Sequence, residues 1–253
     1  MGARTRLLTP ARRRGAEHID DPALDRATTL RSLEDVARSN ALFGGRRAVL
    51  AALGGVLGRG GAPLTLLDVG TGVGDIPWHA RRLAERRGAA LATYGVELNP
   101  VLAAASRARV GGSVCADAFA LPFADRSIDV VTCSQVAHHF AEPDVLRLFR
   151  ELDRVARRLV VVADLRRSYV AAAGFWLASW PLRFHPVTRH DGVLSVFRGF
   201  IPAELEAMVH EATGAVARVR RGLGWRVVAT WTPAVAAASA PVPPPRPGRA
   251  FAE

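Results

Sequence analysis

The 253-residue chain has no lysine: all 34 of its Lys+Arg residues are arginine, and Ala and Gly are abundant. That bias is the mark of a GC-rich coding sequence, and it lowers the functional weight of any single arginine. Cysteine is nearly as scarce. Cys115 and Cys133 lie in apolar runs without a CxxC or a ligand spacing, which excludes a disulfide scaffold and a thiolate metal cluster and predicts two buried, reduced thiols. No apolar run is long enough for a membrane span. The longest, YVAAAGFWLASWPL between Arg167 and Arg183, falls short of the roughly 20 residues a spanning helix needs. The start, MGARTRLLTPARRR, lacks the apolar core of a signal peptide, and Arg6 stands where a myristoylation motif needs Ser or Thr. A cytoplasmic protein is expected, with peripheral membrane contact left open. Apolar residues at 49% and charged residues at 23% exclude a wholly disordered or collagen-like chain.

The net charge of +11 would suit a polyanion partner if it lay on the folded body. It does not. Five arginines precede Gly15 without an acid, and six follow from Arg218 onward against Glu253 alone, so the ends hold +10 and the middle +1. Nucleic acid is therefore not the expected substrate. The closing stretch PAVAAASAPVPPPRPGRAFAE is Ala/Pro-rich and predicts disorder.

Between the ends the pattern is regular. Asp20, Asp21 and Pro22 open a helical pattern with Leu24, Leu30, Leu33, Val36 and Ala37 on one side, and a second helix runs from Arg46 to Leu57. Then buried strands alternate with helices: LTLLDV, ATYGVEL, GSVCA, SIDVVTCS and RLVVVADL are the strands. Such alternation predicts an α/β doubly wound, mostly parallel sheet. AVARVRR and WRVVATW, split by Gly222-Leu223-Gly224, add an antiparallel pair for seven strands in all. The rhythm stops from Arg166 to Phe200, and an insertion of that length in a compact domain suits a lid.

The stretch LLDVGTGVGDIPWHA carries the sharpest chemistry. A strand ends at Asp68, a turn holds Gly70, Thr71, Gly72 and Gly74, and a helix follows. Glycine lets a backbone approach a ligand, and a helix N-terminus offers unpaired N–H groups. Glu97, at the end of the next strand, suits two ribose hydroxyls. Asp75 stands where a dinucleotide fingerprint wants its third glycine, and an acid there would repel pyrophosphate. Asp68, before the glycines, favours a cationic or zwitterionic ligand.

DVGTGVGD and GVELNP resemble the first two motifs of the class I S-adenosylmethionine (SAM) methyltransferases, and CADAFALPFADRSIDVVTCSQVAHHF is similar to the third and fourth. The resemblance covers Leu64 to Leu165 plus the terminal strand pair. Within the superfamily it is nearest to small bacterial quinone-biosynthesis-like enzymes. The flanks EHIDDPALDRATTLRSLEDVARSN and TRHDGVLSVFRGF resemble a subgroup associated with polyketide and natural-product pathways. It implies a Rossmann-like fold binding SAM, with S-adenosylhomocysteine as product. It further implies that the Gly70–Gly74 loop meets the methionine part, Glu97 the ribose, Leu98 the adenine face, Asp117 the adenine amino group and the Ala118 backbone the ring, with Ser134 and Gln135 bordering the sulfonium. The domain reading is then a basic flexible arm at 1–19, cap helices at 20–60, a SAM-binding domain at 61–232 with its lid at 166–200, and a disordered tail at 233–253.

SAM brings its own leaving group, so positioning is the protein's main task, and a base is needed only when the nucleophile must lose a proton. His138 and His139, just past the fourth strand, are the first candidates, with His139 preferred; His190 and Asp191 form a second pair, with Arg189 as an anion stabiliser. Asp164 either faces the acceptor or caps a helix. Phe175, Trp176, Trp180, Phe184 and Phe197 in the insertion suggest an apolar or aromatic acceptor. The expectation is methyl transfer to a small hydrophobic, phenolic, quinol or polyketide-like acceptor, O-methylation favoured, with no metal. C-methylation, a nucleic-acid substrate or non-transfer chemistry on the SAM fold remain alternatives, and the oligomeric state is not readable.

Overall fold

Runs of leucine, valine and isoleucine become strands, and the amphipathic stretches between them become helices, in the computed structural model, which describes residues 9–15, 17–21, 23–58 and 62–233. The strands are β1 (Leu64–Val69), β2 (Leu91–Glu97), β3 (Gly112–Cys115), β4 (Ile128–Ser134), β5 (Ala156–Leu165), β6 (Arg218–Gly222) and β7 (Arg226–Trp231). They form one sheet in the order β3-β2-β1-β4-β5-β7-β6. The first five run parallel, and β7 is antiparallel to both β5 and β6. This is the Rossmann-like α/β architecture expected. Its strand order reverses at β1, which has β2 on one side and β4 on the other, and that divergence opens a crevice at the carboxyl ends of the strands.

The helices are α1 (Arg26–Leu42), α2 (Gly45–Leu53), α3 (Asp75–Arg86), α4 (Pro100–Ser106), α5 (Glu142–Val155), α6 (Tyr169–Ser179), α7 (Pro186–Arg198) and α8 (Pro202–Thr213). On one sheet face α2 and α3 bury Val49, Leu53, Ile76, Ala80 and Ala84 against Val130 and Val161. On the other, α5 and α8 bury Phe149, Leu152, Leu205 and Val209 against Val131, Val162 and Trp231. Each such large side chain contributes about 1.5–3 kcal/mol on leaving water. Among the described residues no helix is long and apolar enough to cross a membrane.

Several expectations change. The first long helix starts at Arg26, not Asp20, because Asp25 is its cap and accepts from Thr28 N at 2.9 Å; His18–Asp20 is a separate 3-10 turn. Its buried face is the polar one, Ser32, Asp35 and Ser39. Asp35 accepts from His185 N at 2.7 Å and pairs with Arg38 at 3.1 Å, which ties α1 to the start of α7. Leu33, Val36 and Ala37 look instead into a cavity. The second helix ends at Leu53, where Arg87 Nη1 donates to Gly54 O (2.6 Å) and Leu57 O (3.1 Å). Cys133 is buried as expected, but Cys115 is exposed on the edge strand β3.

Part of the supposedly flexible basic arm is held. Arg12 Nε donates to Arg198 O at 2.8 Å and its guanidinium stacks on Phe200; Arg13 stacks on Phe197. Residues 1–8 of the arm, and the tail beyond residue 233, lie outside the described residues. Arg218, Arg220 and Arg221 lie along β6, the outermost strand, where charge blunts edge-to-edge association. The insertion folds as α6 and α7. Its ends are stapled where Arg167 pairs with Glu204 and Arg166 bridges to Phe200.

Candidate functional site

The chain leaves β1 at Val69 and turns through Gly70–Gly74 into α3. Gly70 has φ +71°, and a Cβ there would sit 2.3 Å from Val136 Cγ2, so both backbone and space demand glycine. Gly70 N and Thr71 N donate to Val96 O at 2.9 and 3.0 Å, folding the turn over the end of β2. Gly95 makes room for this, since a Cβ there would meet Thr71 Cγ2 at 2.7 Å. Gly72 N donates to Glu97 Oε2 at 2.9 Å, which joins the turn to the acid at the end of β2. Asp68 lies beneath and accepts from Thr132 Oγ1 at 2.6 Å; burial pushes its carboxyl up to about 7.

A cavity of about 1010 Å³ covers this crevice. That is the upper end of the usual range for ligand sites, about 300–1,000 Å³. Asp68, Gly70, Thr71, Gly72, Glu97, Leu98, Asp117, Ala118, Ser134 and Gln135 all line it. Gly74 does not. It is the left-handed cap of α3, at φ +78°, packed against Val110 and Arg109. Glu97 Oε1 also accepts from Asn99 N at 3.2 Å, and Asp117 Oδ1 from Phe119 N at 2.9 Å, so both carboxylates are oriented while keeping lone pairs for a ligand. Gln135 closes β4 in a left-handed conformation, φ +57°, with its N–H on Ala163 O. A non-glycine residue held there stores strain, a common feature of ligand sites.

Beyond Gln135 the cavity runs under α1, α6 and α7 to a charged floor. His138 is buried, with Nδ1 donating to Asp164 Oδ1 at 2.7 Å and Nε2 lying 3.6 Å from Glu17 Oε1. Burial pulls its pKa down, but Asp164 and then Glu17 more than reverse this and raise it to about 9. His138 therefore carries its proton at neutral pH and is not a free base, contrary to expectation. His139 Nε2 lies 3.7 Å from Glu17 Oε2 and its ring faces the cavity. Ser195 Oγ donates to Glu17 at 2.7 Å, and Arg198 Nη1 lies 3.4 Å away.

His190 and Asp191 are separated by the structure. The His190 side chain is 56% exposed and does not line the cavity, whereas Asp191 does. Both carboxylate oxygens of Asp191 are taken: His18 N, the His18 ring and the His190 ring approach Oδ1 at 2.9–3.0 Å, and Ile19 N donates to Oδ2 at 2.9 Å. Asp191 thus anchors the segment that delivers Glu17. Arg189 stacks on Trp180 at 4.1 Å. Among the described residues two groups, Glu17–His138–His139 and His18–His190–Asp191, bring possible metal ligands within 4.8 Å of one another. In the first, Asp164 and the retained proton oppose metal binding at His138.

Glu17, Asn40, Phe43 and Arg226 are among the cavity residues that sequence reasoning missed. Glu17 is the first acid after a wholly basic stretch, and Arg226 is a charge inside the apolar strand WRVVATW; both were signals.

Residues 67–162 match the family model described as a methyltransferase domain. An uncharacterized methyltransferase of Mycolicibacterium vanbaalenii is 44% identical over 105 residues, 40% of this chain and 38% of that protein. A second, from Mycolicibacterium gilvum, is 44% identical over 98 residues, 37% of this chain and 35% of its own. The chain thus aligns with less than two fifths of these curated relatives. In fold it is similar to a SAM-dependent methyltransferase from Aquifex aeolicus, at TM-score 0.57, 17% identity, and coverage of 83% of this chain and 99% of that one. It is also similar to the mitomycin 7-O-methyltransferase MmcR, at TM-score 0.56, 19% identity, and coverage of 83% and 59%.

Proposed function

We propose that the chain, whose residues 67–162 match a methyltransferase domain, is a SAM-dependent methyltransferase that methylates a hydroxyl oxygen of a small hydrophobic acceptor, phenolic, quinol or polyketide-like. One observation carries this reading: a single cavity joins the glycine turn, Glu97 and Asp117 to an apolar chamber with a histidine on its floor.

In this reading the Glu97 carboxylate accepts the ribose hydroxyls, and Leu98, exposed at the cavity mouth, covers one face of the adenine. Asp117 accepts from the adenine amino group beside the Ala118 backbone. Gly70, Thr71 and Gly72 meet the methionine part, over Asp68. A cationic ligand draws the Asp68 carboxyl, poised at about 7, into its ionised form. Ser134 and Gln135 border the sulfonium.

The acceptor lies between Gln135, Phe175 and His139. Its oxygen attacks the methyl carbon, the carbon–sulfur bond breaks with its electron pair left on sulfur, and the hydroxyl proton passes to His139. Glu17, 3.7 Å from His139 Nε2, stabilises the imidazolium that forms. Alignment of oxygen and methyl supplies much of the rate. His138, fixed by Asp164, is a positioning residue that holds Glu17 and the loop.

The test is incubation with SAM and a panel of phenols, enols and quinols, followed by mass spectrometry. Products heavier by one CH₂ group on oxygen are expected. Transfer to carbon would correct the acceptor atom, and no transfer to any compound of these classes would defeat the proposal.

A further inference from the structure

Three arginines are buried in the described structure, and two of them face a carboxylate: Arg167 pairs with Glu204, and Arg198 lies 3.4 Å from Glu17. The third, Arg226, is 3% exposed and has no carboxylate in ion-pair range among the described residues. It opens β7 opposite Leu165, the last residue of β5, so its side chain emerges at the carboxyl end of the sheet and lines the cavity. Nη1 donates to Gln135 Oε1 at 3.0 Å, and Nε has no acceptor among the described residues. Among the described residues the only acid that bears on it electrostatically is Asp164, which His138 already pairs with. Burial drags its pKa down to about 10. A buried guanidinium without a counter-charge is costly, and a fixed fork of donors is built for a planar anion.

One neighbouring element has the same sign. The N-terminus of α2 abuts it, and a Cβ on Gly45 would lie 3.5 Å from Arg226 Nε; that helix start has no side-chain cap. Asn40 and Gln135, hydrogen-bonded to each other, supply amide groups. Phe43, Phe175 and Trp225 line the same end of the cavity. An apolar body with a carboxylate at one edge fits this corner.

We propose that Arg226 is a specificity-determining residue for the methyl acceptor, and that this acceptor is a hydrophobic hydroxyl compound bearing a carboxylate, which pairs with the guanidinium while the hydroxyl faces His139. The inference rests on the methyltransferase reading above. Arg226 stands on β7, beyond β4 and β5 from the glycine turn after β1, which assigns it to the acceptor and not to the cofactor's own carboxylate.

Calorimetry with the full chain tests it. S-adenosylhomocysteine is titrated first; salicylate and its uncharged relative salicylamide are then titrated into the saturated protein. Wild type should prefer salicylate by roughly tenfold or more, the usual worth of a charge-assisted pair. Arg226→Met should abolish the preference while keeping S-adenosylhomocysteine affinity within about threefold, and Arg226→Lys should retain part of it. If the methionine variant does not fold, the wild-type preference and the lysine variant decide. Equal binding of the two probes by wild type overturns the proposal. So does an Arg226→Met protein that loses S-adenosylhomocysteine affinity but still binds 5′-methylthioadenosine, which lacks the carboxylate. No S-adenosylhomocysteine binding by wild type would instead remove the methyltransferase reading, and this inference with it.

Discussion

Replacing Asp164 by Asn should change how stability responds to alkali. In the folded protein Asp164 and Glu17 hold the His138 imidazolium against the opposing effect of burial, raising its pKa from 6.5 to about 9. A group whose folded pKa lies above its unfolded one stabilises fully below the unfolded value and ceases to do so as pH rises through the folded one. The His138 contribution is therefore complete below about 6.5 and gone above about 9. At about 1.4 kcal/mol per pH unit, that interval corresponds to roughly 3 kcal/mol for this buried ring. The Asp164→Asn change keeps the shape of the carboxylate and removes its charge, leaving Glu17 alone against burial and lowering the pKa of the ring. The variant should be weaker by about 3–5 kcal/mol near pH 6, the usual result of breaking a buried pair. It should also show a smaller alkaline decline, so the gap to wild type narrows as pH rises from 6.5 to 9. Asp68, held at about 7 by burial, adds its own loss of stability between pH 4 and 7, but it does so in both proteins and cancels in the difference. Urea denaturation at pH 6, 7, 8 and 9, with an NMR titration of the imidazole, measures both quantities. Parallel curves for the two proteins over this range, or a His138 ring titrating near 6.5 in wild type, would refute the reasoning.

Gly70→Ala puts a Cβ 2.3 Å from Val136 at a left-handed φ; it should cost about 1–3 kcal/mol in thermal stability and weaken S-adenosylhomocysteine at least roughly tenfold by calorimetry, with partial recovery in the Val136→Ala background. His139→Ala should slow turnover of a phenolic acceptor by about a hundredfold or more while leaving S-adenosylhomocysteine affinity within about threefold; near-normal turnover across pH would remove His139 from the mechanism. SAM binding should tighten by up to about tenfold in total between pH 6 and pH 8, levelling off above about 7 where Asp68 is already ionised in the free protein, and Asp68→Asn should flatten that profile.

What was legible in the chain and what was not follows from where charge and apolar surface end up. The strands announced themselves because both faces of a parallel sheet are covered, so LTLLDV and RLVVVADL are apolar without alternation. The glycine turn was equally readable, since Gly70 and Gly72 answer local demands of backbone and space. The apolar stripe of α1 misled: Leu33, Val36 and Ala37 line a cavity, and periodicity cannot distinguish a side that faces a ligand from one that faces a core. The buried charges were hidden for a different reason. Glu17 is meaningful only beside His138, His139, Ser195 and Arg198, which meet it from distant parts of the chain, and none of those contacts has a sequence period. The arginines make the same point by number. Of the six that close the chain, Arg218, Arg220 and Arg221 follow an edge strand, Arg246 and Arg249 lie outside the described residues, and Arg226 alone turns into the cavity. A count that treats them as one basic end describes solubility. Arg226 is the buried arginine without a carboxylate partner among the described residues, and a carboxylate on the acceptor would supply one.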